Sequence, residues 1–170
     1  MKQNTSSDNS FVRKFRIGDE AALWLAYYEA TRQCNARDYH PELIERWAPR
    51  NNDMEEWSTR LIEKRPFVAV VGTTPVGFAE LEENGHIDYF YCHPDWQRRG
   101  IASQLLTHVE AEANEMGLNI LFAEVSITAK NFFLAKGFRI VKSRKNVIAG
   151  HVAPNFEMEK RLDVGSAVSD

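Results

Sequence analysis

Between His86 and Ser103 the chain sets two imidazoles, two carboxylates, two tyrosines, a cysteine and the run Gln97-Arg98-Arg99-Gly100-Ile101-Ala102 close together. The run stands where a β-rich segment, His86 to Cys92, gives way to a helical pattern starting near Arg98. A glycine at such a junction lets the backbone approach a ligand. The amides of Gly100, Ile101 and Ala102 have no helical acceptors, so they can bind an anion such as a phosphate. Arg98 and Arg99 add positive charge beside them, and Ser103 follows in the same turn. The competing reading is a solvated helix start with a basic tip.

The strand before this run also carries chemistry. If His86 to Cys92 is extended, His86, Asp88, Phe90 and Cys92 share one face, and Ile87, Tyr89 and Tyr91 share the other. An imidazole of ordinary pKa, ~6.5, can take a proton near neutrality, with Asp88 to orient it. The competing reading of His86 is a surface histidine just after the Asn84-Gly85 turn.

These residues need a scaffold, and the patterning supplies one. Phe11 to Ile17 alternates as a strand; Asp19 is placed to cap a helix running through Leu23, Ala26 and Tyr27 towards Gln33. Pro41 to Trp47 reads as a short helix, and Asp53 with Glu56 as a capping box for a helix ending before Pro66. Phe67–Val71, Val76–Leu81 and His86–Cys92 are β-rich runs separated by strong turn signals, the pattern of an antiparallel meander. Ile101, Leu105, Val109, Ala113 and Met116 recur at helical spacing up to Gly117. A strand over Asn119–Val125, a helix over Ala129–Lys136 capped by Thr128, and strands over Phe138–Val147 and Val152–Leu162 complete the chain. A helix between the strands at His86 and Asn119 implies one parallel pair in an otherwise antiparallel sheet.

Composition bounds the rest. The 170 residues fit one domain, 11–163, between loose ends at 1–10 and 164–170. A net charge of −3 and a pI near 6.0 argue against a nucleic-acid binder. Two cysteines without a Cys-x-x-Cys, no signal-like segment and no run of membrane-spanning length point to a cytoplasmic setting without a membrane partner. Cys34, His40, Cys92 and His108 show no metal-ligand spacing, and no metal is expected.

The Gln97–Ala102 run is similar to the Gln/Arg-x-x-Gly-x-Gly/Ala pattern that meets the pyrophosphate of coenzyme A in the GNAT acyltransferase superfamily, with Ala102 in the last place. The resemblance extends upstream through Phe90-Tyr91-Cys92-His93-Pro94. Downstream it covers Ala129 to Phe138, with the spacing Ala129, Phe132-Phe133, Gly137-Phe138. It implies a mixed α/β, GNAT-like acyl-CoA N-acyltransferase fold. That fold has a mostly antiparallel seven-stranded sheet flanked by helices, with one splayed parallel strand pair holding the pantetheine arm.

The resemblance also implies an activity: transfer of acetyl from acetyl-CoA to a primary amine of a small molecule or peptide through a tetrahedral intermediate, by a monomer or homodimer. His86 and Asp88 stand where relatives carry the base. The backbone N–H of Cys92 stands where they hold the oxyanion, an interaction of the kind that contributes ~2.7 to 4 kcal/mol. Phe90, Tyr91, Cys92 and Gln97 through Ser103, with Ser126, Asn131 and Phe133, are the implied cofactor contacts. Phe133 departs from the pattern, because many relatives have a tyrosine there to protonate the departing thiolate; Tyr89, Tyr91 or water would have to substitute. The acceptor site would draw on Tyr28, Arg37, Asp38, Tyr39, Trp47, Trp57 and Glu82. A non-catalytic acyl-CoA sensor on the same fold is the second reading.

Overall fold

The computed structural model describes residues 9–163. The expected loose ends therefore lie outside it, except that Ser10 already opens the first strand. Among the described residues, seven strands and five α-helices follow in the order β1 (Ser10–Lys14), α1 (Glu20–Glu29), α2 (Pro41–Trp47), α3 (Met54–Lys64), β2 (Phe67–Val71), β3 (Thr74–Leu81), β4 (Ile87–Cys92), α4 (Ile101–Glu115), β5 (Ile120–Ser126), α5 (Ile127–Ala135), β6 (Arg139–Ile148) and β7 (His151–Arg161). None of these helices is long and apolar enough to cross a membrane.

The strands form two hydrogen-bonded sheets, β1-β2-β3-β4 and β5-β7-β6, antiparallel throughout. The expected parallel pair is reduced to one bridge, His86 to Phe122. There the chains touch closely. Phe122 N–H donates to Gly85 O at 3.0 Å. Gly85 has φ +91°, and a Cβ on it would stand 2.4 Å from Ile120 O. Only glycine fits both the conformation and the approach. Beyond this pin β4 and β5 separate, and the core continues beneath them through Leu105, Val109, Leu121, Ala123 and Met158.

The alternation expected of β4 is interrupted. Ala79 pairs with Phe90 but Leu81 with Ile87, so β4 spends three steps where β3 spends two. This bulge brings Ile87 to the core face shared by Phe90 and Cys92, while Tyr89 and Tyr91 pack on the opposite cluster with Tyr27 and Trp57. Asp88 is left at the bulge and is exposed.

Several helix starts and ends differ from the sequence reading, each for a local reason, while others agree with it. Asp53 caps α3 as expected, accepting from Glu55 and Glu56 N–H at 2.9 and 3.1 Å. Asp19 makes no side-chain cap, because its carboxylate takes the Arg13 guanidinium at 2.7 and 2.9 Å and Arg16 N–H at 2.9 Å. Ser126, not Thr128, caps α5, accepting from Ala129 N–H at 3.1 Å; Thr128 instead donates to Asp38 at 2.7 Å. After α1 the chain widens into a π-turn, Ala30–Cys34, and then a 3-10 turn, Asn35–Arg37. Such a widening re-aims the following side chains, and Ala30, Cys34 and Asn35 all reach the cleft described next.

Candidate active site

The separation of β4 from β5 opens a cleft of about 550 Å³. Its walls are Phe90, Tyr91 and Cys92 from β4, Ala123 to Ser126 from β5, Ala129, Phe132 and Phe133 from α5, and the loop into α4. The β4 backbone faces it in a defined way. His93 N–H donates to Val76 O at 2.8 Å. Antiparallel pairing alternates, so the N–H groups of Tyr91 and His93 point to β3, and those of Phe90 and Cys92 point to the open edge.

The loop presents backbone donors that could hold an anion. His93 caps a 3-10 turn over Pro94–Trp96, its Nδ1 accepting Asp95 N–H at 3.2 Å. Arg98 and Gly100 then adopt positive φ, 60° and 83°. The helix starts at Ile101, later than the expected Arg98, because these two turns reverse the chain first. Gly100 carries no side-chain cap, and the first intrahelical bond is Gln104 N–H to Gly100 O at 3.0 Å. The amides of Ile101, Ala102 and Ser103 thus meet the cleft mouth without helical acceptors. Nothing lies within 4 Å of where a Gly100 Cβ would be, so the glycine answers to its φ and to room above the helix end.

Of the residues singled out in sequence for the cofactor, Phe90, Tyr91, Cys92, Gln97, Arg98, Gly100, Ala102, Ser103, Ser126 and Phe133 line this cleft. Three side chains do not. Arg99 lies over the Trp96 ring, 4.7 Å from its centroid. The Ile101 side chain is buried in the core, and Asn131 is exposed on the outer face of α5. Gln97 Nε2 donates to Cys92 O at 3.1 Å and holds the loop to the strand end. The Cys92 thiol is pushed up to about 12 by burial, which suits a small core residue and not a nucleophile.

A second recess of about 340 Å³ opens from the same place, lined by Tyr27, Tyr39, Trp47, Tyr89, Tyr91, Asn146 and Asn155 among others. Asn35, Asp88, Tyr91, Glu124 and Ser126 line both spaces. Two carboxylates therefore stand at the junction. Asp88 accepts from Arg60 at 2.7 Å, and Arg60 also reaches buried Glu80 at 2.5 Å. Glu124 Oε2 is 2.6 Å from His86 Nε2, and His86 Nδ1 is 3.0 Å from Glu82 Oε2. Burial works to lower the His86 pKa, but hydrogen bonds to Glu124 and Glu82 outweigh it and the net shift is upward. Lys64 pairs with Glu82 behind the imidazole and holds that carboxyl below its ordinary range.

His86 thus lies behind Glu124, outside both spaces, with a carboxylate on each ring nitrogen. A neutral ring would oppose one of its lone pairs to a carboxylate, so the protonated form is favoured. Glu124 was missed in sequence, since nothing local marks a glutamate in a strand before the fold places it opposite β4. Of the expected acceptor residues, Tyr39 and Trp47 reach the recess. Tyr39 OH is fully engaged, donating to Pro154 O at 2.7 Å and accepting Ile127 N–H at 2.8 Å. Trp57 is core, Asp38 is taken by Thr128 and Glu82 by Lys64. Tyr28 stacks under Arg32, and neither it nor Arg37 lines the recess.

This arrangement, two sheets that part around a cleft with a helix N-terminus at its mouth, agrees with comparison to known proteins. Residues 35–162 match the Acetyltransferase (GNAT) domain family model. The chain is 32% identical over 151 residues to YafP of Escherichia coli, described as an uncharacterized N-acetyltransferase, covering 89% of this chain and 95% of that protein. A crystal structure of a GCN5-related N-acetyltransferase from Rhodopseudomonas palustris superposes with a TM-score of 0.82 at 30% identity, covering 89% of this chain and 95% of that one. PaiA N-acetyltransferase from Thermoplasma acidophilum, solved in complex with coenzyme A, gives 0.73 at 21% identity over 89% and 98%. The chain belongs to the GNAT acetyltransferase family.

Proposed function

We propose that this protein transfers an acetyl group from acetyl-CoA to a primary amine, with the cofactor in the 550 Å³ cleft and the acceptor in the 340 Å³ recess. The observation that carries this reading is the junction: the two spaces meet at Asp88, Tyr91 and Glu124, so an acyl carbon in one can meet a nitrogen in the other. The pyrophosphate would rest on the amides of Ile101 to Ser103, with Arg98 beside it.

An acceptor amine arrives as an ammonium and must lose a proton before it attacks. We assign that proton to Glu124, which His86 orients; His86, protonated on both ring nitrogens in its favoured form, can take the proton at Nε2 only when that nitrogen is bare, as its own Nδ1 proton passes to Glu82. Asp88, neutralised in part by Arg60, attracts the ammonium and orients it. The nitrogen then bonds to the acyl carbon, and the carbonyl oxygen takes up charge facing the outward N–H of Cys92. Collapse breaks the carbon–sulfur bond, and the electron pair leaves on sulfur. Burial raises the Tyr91 phenol well above the pKa of a thiol. Tyr91 can therefore donate a hydrogen bond to the thiolate, while the proton itself comes from solvent.

The recess also supports a class of acceptor. Its lining combines Tyr27, Tyr39, Trp47, Tyr89 and Tyr91 with Asp88 and Glu124, and contains no lysine or arginine. Aromatic faces and carboxylates favour a cation and disfavour an anionic group near the nitrogen. A small cationic amine with an apolar skeleton is the reading; amino acids with a free α-carboxylate fit it poorly. Thiol release from acetyl-CoA over a panel of amines tests this, with Gly100→Val as a cofactor-site control. Turnover should favour polyamines and arylalkylamines over amino acids, and Gly100→Val should raise the KM for acetyl-CoA. Binding of acetyl-CoA without turnover on any amine would replace the enzyme by an acyl-CoA sensor.

A further inference from the structure

On the far side of the acceptor recess, away from both carboxylates of the junction, the fold gathers His40, Glu42 and His151. His40 and Glu42 stand at the start of α2; His151 opens β7, 109 residues beyond Glu42. One ligand atom from each lies within 4.8 Å of the other two. His151 Nε2 is 2.9 Å from Glu42 Oε2. The two imidazoles stack with centroids 3.5 Å apart and planes 11° apart. His40 is held by one long contact, Glu42 N–H to its Nδ1 at 3.3 Å.

We propose that these three side chains form a site for a borderline divalent transition ion, Zn²⁺ foremost, that clamps α2 to the β6–β7 turn. Two imidazoles and a carboxylate are the donor set such an ion selects over calcium or magnesium. Tetrahedral zinc at ~2.0–2.1 Å from nitrogen needs ligand atoms about 3.3 Å apart. His151 Nε2 and Glu42 Oε2 are already 2.9 Å apart, so it is His40 that must close, by at most about 1.5 Å, and the stacked rings must splay so that each lone pair faces the ion. His40 and Glu42 are exposed, which leaves room for that adjustment, and water would supply the fourth ligand. Sequence spacing around His40 could not reveal the site, because its third ligand comes from a distant hairpin.

The consequence is mechanical. α2 carries Trp47, and the β6–β7 hairpin carries Asn146, Ala153 and Asn155, all walls of the recess. Tyr39, Leu43, Ile44 and Ala153 already pack between them. An ion at the outer edge would close that wedge without touching the junction.

Calorimetric titration of the metal-free protein with ZnCl₂, repeated with Co²⁺ for its visible absorption, tests the proposal. One ion per chain is expected, with an intense tetrahedral Co²⁺ band, a Tm raised by roughly 5 °C at a hundredfold excess over Kd, and slower amide exchange over 148–153. His151→Ala and His40→Ala should each weaken binding at least tenfold, while His108→Ala, on α4, should not. Absence of saturable binding below millimolar Zn²⁺ would overturn the proposal, as would affinity unchanged in the His40→Ala/His151→Ala double variant.

Discussion

His86 Nε2 lies 2.6 Å from Glu124 Oε2 across two strands that share a single bridge, His86 to Phe122, before they part. The pair is therefore at the apex of the cleft, where β4 and β5 are still close enough for side chains to meet. The same geometry that opens the cleft one step further on sets a carboxylate against an imidazole at its closed end.

Glu124→Gln should lower kcat/KM for the amine by about 10²-fold or more, with acetyl-CoA affinity nearly unchanged, as expected for loss of a general base. His86→Gln should cost less, because it removes only the next step of the relay, and should shift the pH profile. Steady-state kinetics from pH 6 to pH 10 separates the two. Equal losses in both variants would return His86 to the role of direct base that its place in the sequence implies.

The same pair makes a stability prediction. The folded His86 pKa is raised above its unfolded value of ~6.5 by the two carboxylates. Its stabilising contribution is thus fully present below about pH 6.5 and is lost as pH rises through the folded pKa. Urea denaturation of the wild type should show stability declining on the alkaline side of neutrality. The decline should be smaller in His86→Gln, and identical pH dependence in the two proteins would contradict the pairing.

Gly85→Ala should destabilise the protein by at least about 2 kcal/mol, since it adds a Cβ 2.4 Å from Ile120 O at a φ of +91°. Relief of the clash requires moving β5 away from β4, which also widens the cleft. Denaturation and acetyl-CoA titration should therefore change together. By contrast Gly72→Ala, at φ +61° with nothing within 4 Å, meets only the backbone cost and should lose less.

Phe133 is 3% exposed and packed against Phe90, Phe132 and Phe138, with ring centroids 5.0 to 5.5 Å away. The hydroxyl introduced by Phe133→Tyr would enter this cluster without a partner, lowering stability by about 1–3 kcal/mol and leaving the rate of acetyl transfer unchanged. Thermal melting and single-turnover rates measure the two effects. Faster transfer in a folded variant would place the hydroxyl at the sulfur instead.

The elements and the glycine turn into α4 were legible in the sequence because they are local. Gly100 after two arginines, Asp53 at a helix start, and Ile101, Leu105, Val109 and Ala113 at helical spacing each state their structure within a turn or two of chain. Amides without helical acceptors are a property of a helix end, and a helix end is written in adjacent residues. The parity of β4 was misread because a bulge depends on its partner strand: only the pairing of Leu81 with Ile87 shows where the extra residue goes. Glu124 and most of the recess walls, Tyr39 and Trp47 apart, were beyond sequence for the same reason on a larger scale. Glu124 faces His86, Asp88 faces Arg60, and His151 meets His40 and Glu42 only once separate elements have packed. Chemistry built from backbone within one segment is carried by the sequence itself, whereas chemistry between side chains on different segments is decided by the packing that brings them together.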